Sequence, residues 1–120
     1  MRWYFRGMWH YADFRGRSPR VEFIELLGGL FLLIVAAHGI DRSMYGGDGR
    51  EHTLITRLVL LVHVMPSLAV TVRRLHDIDR SGWFAVISFV PVLSFIVLLL
   101  ALPRGSPGSN RFGPSPLKAI

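Results

Sequence analysis

The chain contains no cysteine, which excludes a disulfide framework, a thiolate zinc site and a cysteine nucleophile. Acids are scarce. Eight Asp and Glu stand against fourteen Lys and Arg, giving a formal charge of +6 over 120 residues. Also missing are an internal repeat, a coiled-coil heptad, a Walker loop, a dinucleotide fingerprint and a metalloprotease helix, so neither cofactor nor metal is expected. The histidines His10, His38, His52, His63 and His76 have no metal-ligand spacing. A basic chain raises nucleic acid as a partner, but nucleic-acid binders carry their Lys and Arg on one face of an otherwise soluble fold. Here 51% of the residues are hydrophobic and the arginines flank apolar runs, so membrane lipid is the expected partner and nucleic acid is not.

Three apolar runs are present. Residues 83–102, WFAVISFVPVLSFIVLLLAL, hold no charged side chain, and as one helix rising about 1.5 Å per residue they match the roughly 30 Å bilayer core. Residues 55–72 form another run, with Arg57 near one end where its stem can return the charge to the headgroups. Residues 19–38 begin with Ser18 as an N-cap, Pro19 at the first helical position, and Glu22 and Glu25 near the positive end of the helix dipole. Ahead of them lies a leader with Trp3, Tyr4, Trp9 and Tyr11, which suits the membrane interface. The leader is too long and too aromatic for the basic region of a secretory signal, although Val35, Ala36 and Ala37 have the small-residue look of a cleavage site.

The expected architecture is therefore an all-α membrane protein. An interfacial amphipathic N-terminal helix lies in 1–18, three transmembrane helices lie within 19–102, and a flexible Pro/Gly/Ser-rich tail occupies 103–120. Residues 39–53, with glycines and mixed charges, read as a solvated loop. Positive residues near span ends are retained on the cytoplasmic side, which puts the N-terminus and the 73–82 connection inside and the tail outside.

That connection, RRLHDIDRSGWF at 73–84, is the densest charge in the chain. If the preceding helix continues into it, Arg73, His76, Asp77 and Arg80 share one face, and Asp77 lies within reach of Arg73, Arg74 and Arg80. Ser81 is a natural cap for the third span, and Trp83 with Phe84 falls at the depth aromatic rings prefer. A carboxylate held by several guanidiniums makes a rigid joint at the interface, with spare donors for lipid phosphates. Arg17 and Arg20 belong to the same arginine-rich face.

GRSPRVEF (16–23), RRLHDIDRSGWF (73–84) and GSNRFGPSP (108–116), in this order between apolar runs, resemble the small bacterial inner-membrane proteins of the domain of unknown function 805 family. The resemblance covers nearly the whole chain. It departs at Asp79, where that family often has glycine, and at Phe84, which replaces a more usual second tryptophan. It implies a multi-pass membrane protein of the bacterial inner membrane and supplies no biochemical activity.

Two intramembrane groups stand out. Glu25, about one turn inside its span, either meets Arg73 or Arg74 across a helix interface or reaches back to the headgroups. His63, near the middle of the second span and three residues before Pro66, serves either as a proton relay or as a neutral imidazole bonded to a neighbouring helix. Ser, His and Asp occur together at 76–81, but a triad needs geometry from separate elements, and no enzyme activity is expected. The leading functional reading is a non-enzymatic inner-membrane module that assembles with itself or a membrane-protein partner and holds anionic lipid headgroups at its arginine-rich face. The alternative is a small oligomeric transporter or channel using His63 and Glu25.

Overall fold

The computed structural model describes residues 1–45 and 53–116, the side chains of 88 and 89 excepted. Its helices are α1 (Arg2–Trp9), α2 (Arg20–Tyr45), α3 (Leu54–Asp77) and α4 (Pro91–Ala101), with a 3₁₀ segment at Gly82–Phe89 between α3 and α4. α2 and α3 are long and apolar enough to cross a membrane. Their outer surfaces expose Phe31, Leu32 and Val35 on α2 and Leu58, Leu61 and Val62 on α3, a distribution suited to lipid rather than water.

α2 begins at Arg20, one residue after the expected start, because Pro19 itself supplies the first carbonyl of the helix, accepting from the N–H groups of Glu22 and Phe23. Ser18 does not cap it. The Ser18 hydroxyl donates to Pro19 O, and its N–H donates to Arg73 O at 3.1 Å. At the far end α2 runs to Tyr45, absorbing residues 39–45 that composition assigns to a loop. Asp41 is fully buried there and accepts from the N–H groups of Ile55 and Thr56 and from the Thr56 hydroxyl. One carboxylate thus satisfies the otherwise orphaned first turn of α3. The rest of the expected loop, 46–52, lies outside the described residues. Pro66 does not interrupt α3.

The third expected span is corrected. Residues 83–102 do not form one helix: Val90 is extended (φ −90°, ψ 117°) and Pro91 starts a new helix. Proline lacks the N–H that would continue a helix and pushes its predecessor out of the α region. The two pieces also fold back. At the start, a methyl on Gly82 would lie 2.6 Å from the Val72 side chain. At the end, Ala101 O accepts from Arg74 Nε at 2.7 Å. Both ends of the stretch therefore sit close to the C-terminal end of α3. Eight residues of 3₁₀ helix and eleven of α-helix are each about 16 Å long, so the excursion reaches about half the hydrocarbon depth and returns.

The interior is small. Phe23 and Leu26 of α2, Val70 of α3 and Ala101 of α4 pack together, with Tyr4, Met8 and Leu27 around them. α1 lies against the first turns of α2, and its approach depends on glycine: a methyl on Gly29 would stand 2.8 Å from the Tyr4 ring, and Gly7 is buried against Leu26.

Candidate functional site

The end of the α2–α3 pair that receives the 82–101 excursion also receives residues 103–116, and the two meet in a buried polar knot. Asp77, at the last position of α3, is 3% exposed. Its Oδ1 accepts from Arg17 Nε at 2.9 Å and pairs with Arg17 Nη2 at 2.8 Å, while Oδ2 takes Arg74 Nη1. The guanidiniums then reach further. Arg17 donates to the carbonyls of Ser106, Gly108 and Gly113, and Arg74 donates to those of Ser18, Ala101 and Pro103. Ser106 N–H donates to Asp77 O at 2.7 Å. With the Asp77 carbonyl, which also accepts from Arg17 Nη2 at 3.4 Å, two buried cations are matched by one carboxylate and seven carbonyls, the dense hydrogen bonding that a desolvated guanidinium requires.

Around the knot, the His76 ring lies flat on Phe112 at 3.9 Å, and its Nδ1 donates to Gly16 O at 3.0 Å. Asn110 Nδ2 donates to His76 O at 2.8 Å, and the Asn110 and Gly113 backbones bond to each other across a tight turn. Residues 103–116, expected as a mobile tail, are thus tied to the ends of α2 and α3; residues 117–120 lie outside the described residues. Gly105 passes so close to Asp77 that a Cβ there would strike the carboxylate.

The arginines divide in a way that local spacing does not show. Arg73 turns away from Asp77 and reaches Glu22, Nη1 to Oε1 at 2.8 Å. The alignment is that of an ion pair rather than a directed hydrogen bond, and Arg73 Nε and Nη2 have no hydrogen-bond partner among the described residues. Arg6 approaches the other Glu22 oxygen at 3.8 Å. Arg80 lies beyond the end of α3, exposed, and does not join Asp77, because the chain leaves the helix at Ile78 and reverses at Asp79 (φ 58°). The expected three-arginine clasp of Arg73, Arg74 and Arg80 is replaced by Arg17 and Arg74. Arg20 and Arg104 are exposed and make no hydrogen bond or ion pair with the described residues. Ser81 caps the 3₁₀ segment, accepting from Trp83 N–H, and the Trp83 side chain is 81% exposed.

Glu25 meets neither Arg73 nor Arg74. It pairs with the N-terminal ammonium of Met1 at 2.7 Å and accepts from Tyr4 N–H at 3.3 Å. His63 is buried and has a partner on each nitrogen. Nδ1 donates to Val59 O at 2.8 Å, and Nε2 is hydrogen-bonded to Tyr4 OH at 2.8 Å. Ser81, His76 and Asp77 form no relay, since the three side chains are bonded to different groups. Among the described residues no cluster of His, Asp and Glu has a metal-binding arrangement.

Two long lipid-facing helices, an apolar excursion entering and leaving at one end, and a buried charge knot closing that end define an α-helical membrane protein. The chain belongs to the family described as "Protein of unknown function (DUF805)", which matches residues 11–114. It is 35% identical to inner membrane protein YhaH of Escherichia coli (strain K12) over 123 residues, covering 97% of each chain. It is 39% identical to inner membrane protein YhaI of the same strain over 118 residues, covering 97% of this chain and 96% of that one. No solved structure matches it.

Proposed function

We propose that this protein is a non-enzymatic module of the bacterial inner membrane that gathers anionic lipid headgroups at the end closed by the Arg17–Asp77–Arg74 knot. The observation that carries the reading is the placement of the cations. Among the described residues only Arg42 and Arg57, of all the Lys and Arg, lie at the opposite end of α2 and α3. An arginine-dense end facing the anionic cytoplasmic leaflet is favoured both by topogenesis and by surface potential. On this reading the N-terminal segment, the 73–82 turn and the tail up to residue 116 are all cytoplasmic, and α2 and α3 are the two crossings. The tail moves from the outer side, where sequence alone puts it, because its backbone is bonded to Asp77 and Arg17.

The transport alternative draws less support. Its two intramembrane groups, Glu25 and His63, are both engaged by α1 and the N-terminus.

Two measurements test the proposal. Single cysteines at Asp79, Ser109 and Ser43 in this naturally cysteine-free chain, probed in intact cells with an impermeant thiol reagent, should show only position 43 labelled from outside; labelling of 109 without 79 rejects the shared side. Purified protein in neutral detergent should gain thermal stability on adding phosphatidylglycerol or cardiolipin and not on adding phosphatidylcholine. No headgroup dependence rejects the lipid reading.

A further inference from the structure

The buried guanidiniums at the closed end are already committed to partners within the protein. Arg17 and Arg74 spend theirs on Asp77 and on carbonyls, and Arg73 is buried beside Glu22. Of the exposed arginines, Arg20 and Arg104 line one cavity of about 470 Å³, bounded by the start of α2 and by residues 104–107, with Arg74 and Asp77 at its wall. We propose that this cavity is a specific site for the phosphodiester headgroup of an anionic glycerophospholipid, with Arg20 and Arg104 as its phosphate ligands. The inference rests on the proposed lipid-gathering role and narrows it to one place and two residues.

Four features converge on this assignment. The wall is net positive: Arg20, Arg74, Arg104 and the neighbouring Arg17 are set against the single carboxylate of Asp77, and Arg20 lies close enough to Arg74 for their charges to repel. An entering phosphate relieves that repulsion and accepts bidentate bonds that planar guanidiniums are shaped to give. The first N–H groups of α2, at Arg20 and Val21, have no intrahelical acceptor and add the positive end of the helix dipole. Depth selects a lipid over a free anion. Arg20 opens a membrane-crossing helix, and Val21, Ile24 and Leu102 expose apolar side chains at and just below its level, where acyl chains would lie.

Because Arg20 and Arg104 hold no other described part of the protein, replacing them leaves the fold intact, and the test is direct. Full-length protein in neutral detergent is titrated with phosphatidylglycerol, and bound lipid is counted by native mass spectrometry. The double variant Arg20→Gln/Arg104→Gln should lose affinity about tenfold or more, each single variant less, and Arg80→Gln nothing, with thermal midpoints in lipid-free detergent unchanged. If the double variant binds phosphatidylglycerol as the unmodified protein does, the site is elsewhere and the inference fails while the general lipid reading stands. If the unmodified protein prefers no anionic lipid over phosphatidylcholine, both fail. Displacement of the lipid by millimolar inorganic phosphate would make this a free-anion site and overturn the lipid assignment.

Discussion

Arginine has three fates at one end of this molecule, and they differ in energy. Arg17 and Arg74 are buried with their donors used, Arg73 is buried with two nitrogens idle, and Arg80 is solvated. Removing the carboxylate that Arg17 and Arg74 share leaves two uncompensated buried cations. Asp77→Asn should therefore cost about 3–5 kcal/mol, the scale for breaking a buried pair, whereas Arg80→Gln should fall within about 0.5 kcal/mol of unmodified protein; thermal unfolding in one neutral detergent compares them. Equal losses would mean that the knot contributes nothing beyond surface charge. Asp77 as the hub is legible from its crowded neighbourhood, and so is Arg74 three positions before it, but its other partner is not. Helical spacing offers Arg73 and Arg80, while Arg17 lies 60 positions away and only tertiary structure brings it in. Asp79 is the opposite case. Its φ of 58° places it in left-handed backbone, which costs a residue with a Cβ more than it costs glycine. Asp79→Gly should hold or raise the thermal midpoint, and Asp79→Val should lower it.

Element boundaries obey their local signals to differing degrees. α3 is legible in the sequence because its apolar run is long and Pro66 is tolerated inside it. The start of α2 is marked by Pro19, but its end is obscured by Gly39 and Asp41, which look like loop residues until Asp41 is seen capping the next helix. Residues 83–102 mislead because hydropathy reports only that a stretch prefers lipid, not how often it turns there. Pro91 carries the missing information: it marks not a mild kink but a break that reverses the chain. The segment after α4 misleads for a related reason. Pro, Gly and Ser signal the absence of helix, which is compatible with an ordered strap whose carbonyls are free to accept from arginine. Gly105 shows how tight that strap is. Gly105→Ala adds one methyl against the Asp77 carboxylate and should destabilise by about 1–3 kcal/mol through overpacking, where Gly108→Ala, with open space around it, is limited to the smaller cost of its positive φ.

On the scale of the whole molecule, the knot joins residues from both ends of the sequence, so the fold closes on itself rather than running as a row of independent spans. A chain stopped after Leu102 would keep α2, α3 and the full apolar excursion yet deprive Arg17 of Ser106, Gly108 and Gly113 and deprive Arg74 of Pro103. It should insert into the membrane but accumulate to a lower level than the full chain and unfold at a lower temperature, as measured by immunoblot of membranes and by thermal scanning. The same dependence places a delay in synthesis. Arg17 leaves the ribosome 91 residues ahead of Gly108, which at about 5–20 residues per second is roughly 5–18 s. Through that interval the nascent protein carries a cation whose final acceptors have not yet been made, so the knot can close only after residues 106–113 have been synthesised.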